Sequence, residues 1–318
     1  MSFKEIEKYI EEKTAFPLRD RYDLPTSKHT FPDGSHYRIE IAGMETISNL
    51  EIMSREAEKR KVPVHRVIST VRGAALMDKK ELEEYAQFAA ENNYEVIINP
   101  LPSRGWDNGR QFTTPEGYVS GMRLRGSDKV YEWLQEFDRC LEAGIRGFLI
   151  PDEGLLALVT KMREDKVIPE DVRFKVSVFA GHGSPLGGKL LEDMGADSFN
   201  PLGDLTLPML ASIRSTVKLP LDVYVSLVES MGGFQRFHEC PDIARISAPV
   251  YFKIEPGRSE AEMYNAWVDN GLVDHLAAHR VKIAQICIEW VERSGLDLVL
   301  KSGGEDLSVP KPAAPVKS

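Results

Sequence analysis

Cysteines and long hydrophobic runs are both scarce in this sequence. Cys140, Cys240 and Cys287 are scattered and odd in number, so they predict neither a disulfide framework nor a Cys-x-x-Cys metal site. No run of about 18 apolar residues occurs, which argues against a membrane-spanning helix. The segment Met1–Lys13 is charged and lacks the apolar core of a signal peptide. We therefore expect a cytoplasmic protein in a reducing compartment.

Excess positive charge is also lacking, because 40 Lys and Arg stand against 49 Asp and Glu, for a formal net charge of -9. A nucleic-acid-binding surface needs a basic face, so we expect no nucleic-acid partner, and we expect no membrane partner either. The sequence contains no Walker loop, no Rossmann glycine fingerprint and no Gly-x-Ser-x-Gly elbow. A local basic pocket for a small anion remains compatible with this composition.

Eight short apolar runs are present, each followed by Gly, Pro or Asn and then by a segment of helical periodicity. The runs are Arg38–Ile41, Val64–Ser69, Glu95–Ile98, Gly147–Ile150, Phe174–Phe179, Ser198–Asn200, Leu221–Val225 and Val250–Ile254. Strand alternating with helix eight times predicts an α/β fold, a single-domain (β/α)8 TIM barrel. The alternative is a doubly wound open sheet, which usually has a glycine-rich loop after its first strand. Residues 42–45 do not supply that loop.

Three segments are distinguished along the chain. We expect residues 1–35 to form an N-terminal helix and capping segment, residues 36–300 the barrel, and residues 301–318 a disordered tail rich in Gly, Pro, Lys and Ser. The 29 residues 99–127 separate the third strand from its helix. Loops longer than about 15 residues are uncommon unless they are functional. This connection is therefore predicted to be a lid over the barrel mouth, with a structural or oligomer-contact loop as the alternative.

Strand alternation predicts charged side chains inside the barrel, because the outward positions must be apolar to pack on helices. The inward set comprises Arg38, Glu40, Lys175, Ser177, Asp222, Tyr224, Lys253 and Glu255. Buried charges are costly unless they are paired, so the set predicts a salt-bridge network, mostly near the barrel bottom. The later positions Tyr224, Lys253 and Glu255 fall near the mouth and are predicted to be catalytic.

Further polar residues collect just after the strands, where barrel enzymes place their catalysts. Glu153 and His182 are predicted as acid–base or metal-ligating residues. The alternatives are a helix cap at Asp152 or Glu153 and a structural hydrogen-bonding role for His182. The predicted substrate-binding residues are Arg72, Asn99, Arg104, Trp106, Asp107, Asn200 and Arg258. Gly-Gly pairs and Arg258 after the last two strands favour an anionic group on the substrate.

Three stretches carry a resemblance to a known family. They are Lys175–Pro201, Asp204–Leu207 and Phe252–Arg258. Together they resemble the barrel of the collagenase-like (family thirty-two) peptidase superfamily, and in particular an uncharacterised bacterial branch of it. The resemblance implies the barrel fold. It also implies peptidase activity, but only through the name of the superfamily. Some members of the wider superfamily carry cysteine-ligated iron–sulfur clusters, and the three scattered cysteines here cannot reproduce that ligand set, so no iron–sulfur cluster is expected.

These observations predict an enzyme that acts on a small anionic organic substrate by acid–base chemistry, as a lyase or a hydrolase. A divalent metal held by Glu153, His182 and Glu255 is one possibility, and a Schiff base on Lys253 is another. The alternatives are a peptidase of the collagenase-like family and a non-catalytic binding or assembly protein. The substrate, the cofactor and a homo-oligomeric state are left open by the sequence.

Overall fold

Eight parallel strands form a closed barrel in which each strand pairs with its neighbours in sequence and β8 pairs with β1. A computed structural model describes residues 2–69, 73–100, 123–259 and 269–313. The predicted (β/α)8 TIM barrel is confirmed, and the open doubly wound sheet is excluded because the ring closes. Among the described helices, none is both long enough and apolar enough to cross a membrane.

The strands and helices alternate along the chain. The strands are β1 Tyr37–Ala42, β2 Arg66–Ser69, β3 Glu95–Ile98, β4 Gly147–Ile150, β5 Arg173–Val176, β6 Ser198–Phe199, β7 Leu221–Ser226 and β8 Val250–Ile254. The described helices are α1 Phe3–Lys13, α2 Ile47–Arg60, α3 Lys79–Glu91, α4 Gly126–Glu142, α5 Glu153–Glu164, α6 Pro185–Asp193, α7 Leu207–Arg214, α8 Cys240–Ser247 and α9 Asn270–Arg293.

Local sequence determines where several of the helices begin. The side chains of Thr46, Asp152 and Ser184 accept hydrogen bonds from backbone amides in the first turns of α2, α5 and α6. A capping residue satisfies amides that have no partner within the helix, which fixes the start of the helix close to the end of the preceding strand. The polar ends of the strands and the helix starts therefore meet on one face of the barrel.

The fifth apolar run is shorter as a strand than the sequence indicated. We expected a strand over Phe174–Phe179, but β5 ends at Val176 and a 3-10 turn follows over Val178–Ala180. The Ser177 hydroxyl accepts a hydrogen bond from the amide of Phe179, and this local bond competes with continued strand pairing. Val178 belongs to a hydrophobic cluster at the mouth that also contains Tyr224.

Charged side chains fill the lower part of the barrel interior. Glu40 lies at the centre, with Lys175 Nζ 2.6 Å from both carboxylate oxygens, Arg66 at 3.1 Å and Lys253 at 3.4 Å. Asp222 contacts Arg66 at 2.8 Å and Lys175 at 3.0 Å, and Arg66 also contacts Glu95 at 2.5 Å. The predicted network is present, and Arg66 and Glu95 extend it beyond the set that the sequence suggested.

Arg38 lies apart from this central cluster, at the amino-terminal end of the barrel. Its guanidinium donates two hydrogen bonds to Asp306, at 2.9 and 2.8 Å, and lies 3.2 Å from Asp33. The ring of Phe31, from the segment before β1, covers it at 4.0 Å. Arg38 was expected to pair within the lumen, but its long side chain reaches out of the barrel to acidic groups of both flanking segments.

The first part of the carboxyl-terminal segment, residues 301–313, departs from the expected disordered tail over residues 301–318. Residues 301–313 cross the amino-terminal end of the barrel, where the Ser308 hydroxyl donates to Glu95 at 2.7 Å and the Lys311 amide donates to the Gly144 carbonyl at 2.7 Å. The Lys301 carbonyl lies 2.5 Å from His65 Nε2. These contacts compensate for the low hydrophobicity that suggested disorder. Residues 314–318 lie outside the described part of the chain.

Candidate functional site

The carboxyl ends of β7 and β8 bring three of the predicted catalytic residues together. The Tyr224 hydroxyl donates a hydrogen bond to Glu255 at 3.0 Å, and the Lys253 ammonium lies 5.0 Å from the centre of the Tyr224 ring. All three residues are almost fully buried. Because Tyr224 and Lys253 are paired in register, the two side chains enter the lumen side by side. This group, Tyr224, Lys253 and Glu255, is called the β7/β8 cluster below.

A second pair forms where β4 and β5 end. His182 Nε2 lies 2.5 Å from Glu153 Oε1, and Arg123 donates to the other oxygen of the same carboxylate. Arg123 also donates to the carbonyl of Ala180 at 3.3 Å. Glu153 is the first residue of α5, whose cap is Asp152, so the helix start fixes the position of this carboxylate. The sequence did not indicate Arg123 as the partner, because it comes from the long connection after β3.

The pKa of His182 is lowered, which favours the neutral imidazole, the form that can accept a proton. Burial lowers the pKa of His182, and the positive charge of Arg123 lowers it further. The ring is therefore neutral at pH 7, with Nε2 donating to Glu153 and Nδ1 left as the basic nitrogen. An imidazole held in one tautomer by a carboxylate is the arrangement that proton-transfer enzymes use to orient a base.

The basic nitrogen of His182 lies against Gly187 in the first turn of α6. A β-carbon added at Gly187 would lie 2.6 Å from His182 Nδ1, closer than real contacts allow. The absence of a side chain at this position thus makes room for the imidazole. The Ser184 hydroxyl accepts from the Gly187 amide at 3.2 Å and holds the turn in place.

Gly187→Ala is expected to destabilise the protein by about 1–3 kcal/mol, because the new methyl group must displace the His182 ring. Gly154→Ala is the matched control in the first turn of α5, where the added carbon would meet only Asp152 Oδ1 at 3.4 Å. Alanine favours helix over glycine, so the control is expected to be neutral or slightly stabilising. Urea denaturation measures both. Equal stability of the two variants would contradict the close approach at Gly187.

The two predicted asparagines lie at the ends of β3 and β6 and are buried. The backbone N–H of Asn99 donates to the backbone carbonyl of Ser69, and the backbone carbonyl of Asn99 accepts from the backbone N–H of Ala74. Asn200 Nδ2 donates to the carbonyl of Asp222 at 2.6 Å and to that of Pro201 at 3.2 Å. Both residues therefore lie at the rim of the lumen, as the positions after their strands predicted.

The remaining predicted binding residues are placed less centrally or not at all. The Arg258 side chain is exposed after β8, while its carbonyl accepts from the Ser230 amide at 3.0 Å. Arg72, Arg104, Trp106 and Asp107 lie outside the described residues, as does most of the predicted lid. Their roles stay predictions.

One residue at the end of β1 adds a further carboxylate to the rim. Glu45 Oε2 accepts from the Ser69 hydroxyl at 3.1 Å and from the Gly73 amide at 3.4 Å. Glu45 is buried, which distinguishes it from ordinary surface glutamates. The sequence signal for this residue was its position directly after the first strand, the same signal that indicated Glu153 and Glu255.

The expected metal cluster is not assembled by the described side chains. Within residues 2–69, 73–100, 123–259 and 269–313, no group of three His, Cys, Asp or Glu residues comes together in a way that could hold a metal ion. Glu153 and His182 meet each other, but Glu255 pairs with Tyr224 instead of joining them. These three residues are therefore not gathered into one ligand set among the described residues, and a divalent metal stays a prediction.

Comparison with known proteins gives similarity at the level of the fold. No protein-family model and no curated protein matches the chain. The structure of the U32 peptidase Mk0906 is 18% identical, with a TM-score of 0.37, and the match covers 61% of this chain and 70% of that one. The putative copper homeostasis protein CutC from Streptococcus agalactiae is 9% identical, with a TM-score of 0.43, and the match covers 68% and 97% of the two chains.

Orotidine 5'-monophosphate decarboxylase from Methanocaldococcus jannaschii, complexed with the inhibitor BMP, is also similar. Its identity is 9% and its TM-score 0.42, and the match covers 78% of this chain and 98% of that one. At such low identities and TM-scores, these similarities assign neither a family nor a reaction. The resemblance to the collagenase-like peptidase superfamily stays a prediction.

Proposed function

We propose that this protein is an enzyme that acts on a small anionic organic substrate at the barrel mouth by general acid–base catalysis. The observation that carries the proposal is the 3.0 Å hydrogen bond between Tyr224 and Glu255 at the carboxyl ends of β7 and β8. Barrel enzymes place their catalytic side chains at this face. A carboxylate and a phenol that share a proton beside a cation form a recognisable acid–base unit.

The members of the β7/β8 cluster have complementary chemical properties. Glu255 accepts a proton from the substrate, and Tyr224, whose hydroxyl donates to Glu255, holds that carboxylate in position. Lys253 places a positive charge next to the same region, which favours an anionic substrate and an anionic transition state. Burial of all three strengthens these interactions, because little water competes with them.

The pair of Glu153 and His182 supplies a second proton-transfer group. A neutral imidazole with one nitrogen held by a carboxylate can accept a proton on the other, and it can return that proton to a leaving group. In a lyase, Nδ1 of His182 can remove a proton, and the imidazolium so formed can return that proton to the departing oxygen.

Lys253 acts through its charge in this proposal, not as a nucleophile. Its ammonium forms a salt bridge with Glu40 at 3.4 Å. A Schiff base requires the neutral amine, and an amine held in an ion pair is a poor nucleophile. Reduction with borohydride in the presence of substrate distinguishes the two roles, because a covalent adduct on Lys253 would replace the electrostatic role by a Schiff-base mechanism.

Peptidase activity is the second candidate, favoured only by the family resemblance. In the described part of the chain, the three cysteines are buried, and no serine hydroxyl or cysteine thiol is hydrogen-bonded to a histidine ring nitrogen. A nucleophile–base pair of the kind that cleaves peptides is thus not assembled there. The acid–base proposal uses the side chains that are in contact.

The test is deuterium exchange with a panel of small hydroxy acids, keto acids and sugar phosphates in heavy water. Mass spectrometry detects carbon-bound deuterium or a new product. We expect turnover by the unaltered protein and a loss of about 100-fold or more in Glu255→Gln and in Tyr224→Phe. The exposed residues Glu164 and Tyr131 give matched controls, Glu164→Gln and Tyr131→Phe, which should retain full turnover. Absence of turnover across the panel, or full turnover by Glu255→Gln, would refute the proposal.

A further inference from the structure

A hydrogen-bond acceptor without a partner lies at the rim of the lumen. Asn200 follows β6 and is 1% exposed, and its Oδ1 is buried and accepts no hydrogen bond from the part of the chain that the structure describes. Leaving a buried acceptor unsatisfied costs about 1–3 kcal/mol. An acceptor of this kind at the catalytic face of a barrel indicates a position where a donor belongs.

The orientation of the Asn200 amide is settled by its surroundings. The amide nitrogen donates to two carbonyl oxygens, those of Asp222 and Pro201. Carbonyl oxygens can only accept, so the amide cannot be turned over without placing oxygen against oxygen. Both N–H groups of the side chain are therefore used, and the oxygen is the atom that remains.

Asn200 belongs to a polar wall in the upper lumen. Alternation along β6 places Asn200 on the same face as Ser198, which hydrogen-bonds to Asp222 inside the barrel. The next two strands contribute Tyr224 and Lys253, paired in register. The opposite wall is apolar and consists of one residue from each of β1 to β4, namely Ala42, Ile68, Ile97 and Leu149.

The charge balance below this wall favours a neutral donor. Three cations, Arg66, Lys175 and Lys253, contact three carboxylates, those of Glu40, Asp222 and Glu95. An ammonium group brought to Asn200 would add a further cation on the side of the lumen where Lys253 lies, whereas a hydroxyl would not.

We propose that Asn200 Oδ1 accepts a hydrogen bond from a hydroxyl group of the substrate, so that the enzyme takes small hydroxy acids. The carboxylate of the same molecule interacts with Lys253, and its hydrocarbon side packs on the apolar wall. This inference rests on the proposed function, because it places the substrate of that same site. It makes Asn200 a specificity-determining residue that rejects analogues without the hydroxyl.

The experiment compares dissociation constants of matched acids by isothermal titration calorimetry. The hydroxylated acids are lactate and malate, and their counterparts without the hydroxyl are propionate and succinate. We expect at least one hydroxylated acid to bind about tenfold more tightly than its counterpart, the ratio that one hydrogen bond to a buried acceptor supplies. 2-Fluoropropionate, which cannot donate, should bind no better than propionate, and this measurement needs no variant.

Asn200→Leu is expected to remove the preference for the hydroxyl. Asn49→Leu is the matched control, because Asn49 is also buried with an unpartnered Oδ1 but lies on α2, outside the lumen, with its Nδ2 bonded to Asp274. The control should keep the tenfold ratio.

Equal binding of each hydroxylated acid and its counterpart by the unaltered protein, tight binding of 2-fluoropropionate, or a preference that survives in Asn200→Leu would each overturn the inference. These outcomes are separate from failure of the proposed function. Deuterium exchange that depends on Glu255, without any hydroxyl preference, would leave the acid–base site standing and remove only the role of Asn200. Hydroxyl-dependent binding without any turnover would support the role of Asn200 in binding and refute the proposed acid–base catalysis.

Discussion

Glu40→Gln is expected to lower the free energy of unfolding by about 3–5 kcal/mol, the largest effect of any single substitution in the lumen. Glu40 is fully buried, and its carboxylate contacts Lys175, Arg66 and Lys253. Glutamine keeps the shape but removes the negative charge, which leaves three buried cations with too few partners. Chemical denaturation at pH 7 gives the measurement.

The pH dependence of the same variant provides a second test. Burial opposes the charged form of Glu40, but Lys175, Lys253 and Arg66 outweigh it and lower the pKa of Glu40 to about 2. A depressed pKa in the folded state contributes stability that is present above the unfolded value of 4.5 and is lost as the pH falls towards 2. The difference in free energy of unfolding between the unaltered protein and Glu40→Gln should therefore become smaller as the pH falls from 4.5 towards 2.

Two comparisons make the result specific. Glu170→Gln removes a surface glutamate paired with Lys166, and it should change stability by less than about 1 kcal/mol. Lys175→Met should partly rescue Glu40→Gln, because it removes one of the cations left unpaired. A Glu40→Gln protein as stable as the control would show that the lumen tolerates unpaired charge.

Asp306→Asn is expected to cost about 2–3 kcal/mol and to release residues 301–313 from the barrel end. Asp306 accepts two hydrogen bonds from Arg38, whose side chain has no exposed surface. The loss is smaller than for Glu40, because Asp33 still lies 3.2 Å from the guanidinium. Denaturation measures stability, and hydrogen exchange of the segment measures its release.

Asp165→Asn is the control for this second prediction. Asp165 follows the last residue of α5 and forms a salt bridge with Lys161 on the surface of that helix. Loss of this surface ion pair should have little effect on stability. Unchanged exchange of residues 301–313 in Asp306→Asn would mean that Ser308 and Lys311 hold the segment without the ion pair.

Local pattern was enough to predict most of the barrel. The third, fourth and eighth strands have the bounds that their apolar runs indicated, because each run is closed on both sides by polar or turn residues. The fifth run misled, since the hydroxyl of Ser177 captures the Phe179 amide and ends the strand early. The ordered segment 301–313 was missed because its contacts with Arg38 and Glu95 join positions far apart in sequence.

Position in the sequence indicated the members of the candidate site but not how they group. Alternation correctly placed Lys253 inside the barrel, and the same rule would have found Arg66 and Glu95 had it been applied to the second and third strands. Glu153 and His182 were predicted because each one follows a strand. Their direct contact depends on how two loops approach one another, which the sequence position does not specify. No pattern within a single stretch of sequence contains that information.

The ion pairs of Glu40 with Lys175, Arg66 and Lys253 constrain how the barrel interior can change by mutation. A substitution of Glu40, Lys175 or Arg66 alone strands an opposite charge in a dry environment, whereas exchange of a whole ion pair for apolar residues of similar volume is often neutral or stabilising. Viable variants are thus separated by intermediates that fold poorly. The lumen charges should therefore be replaced together, as linked sets, in any library selected for folding.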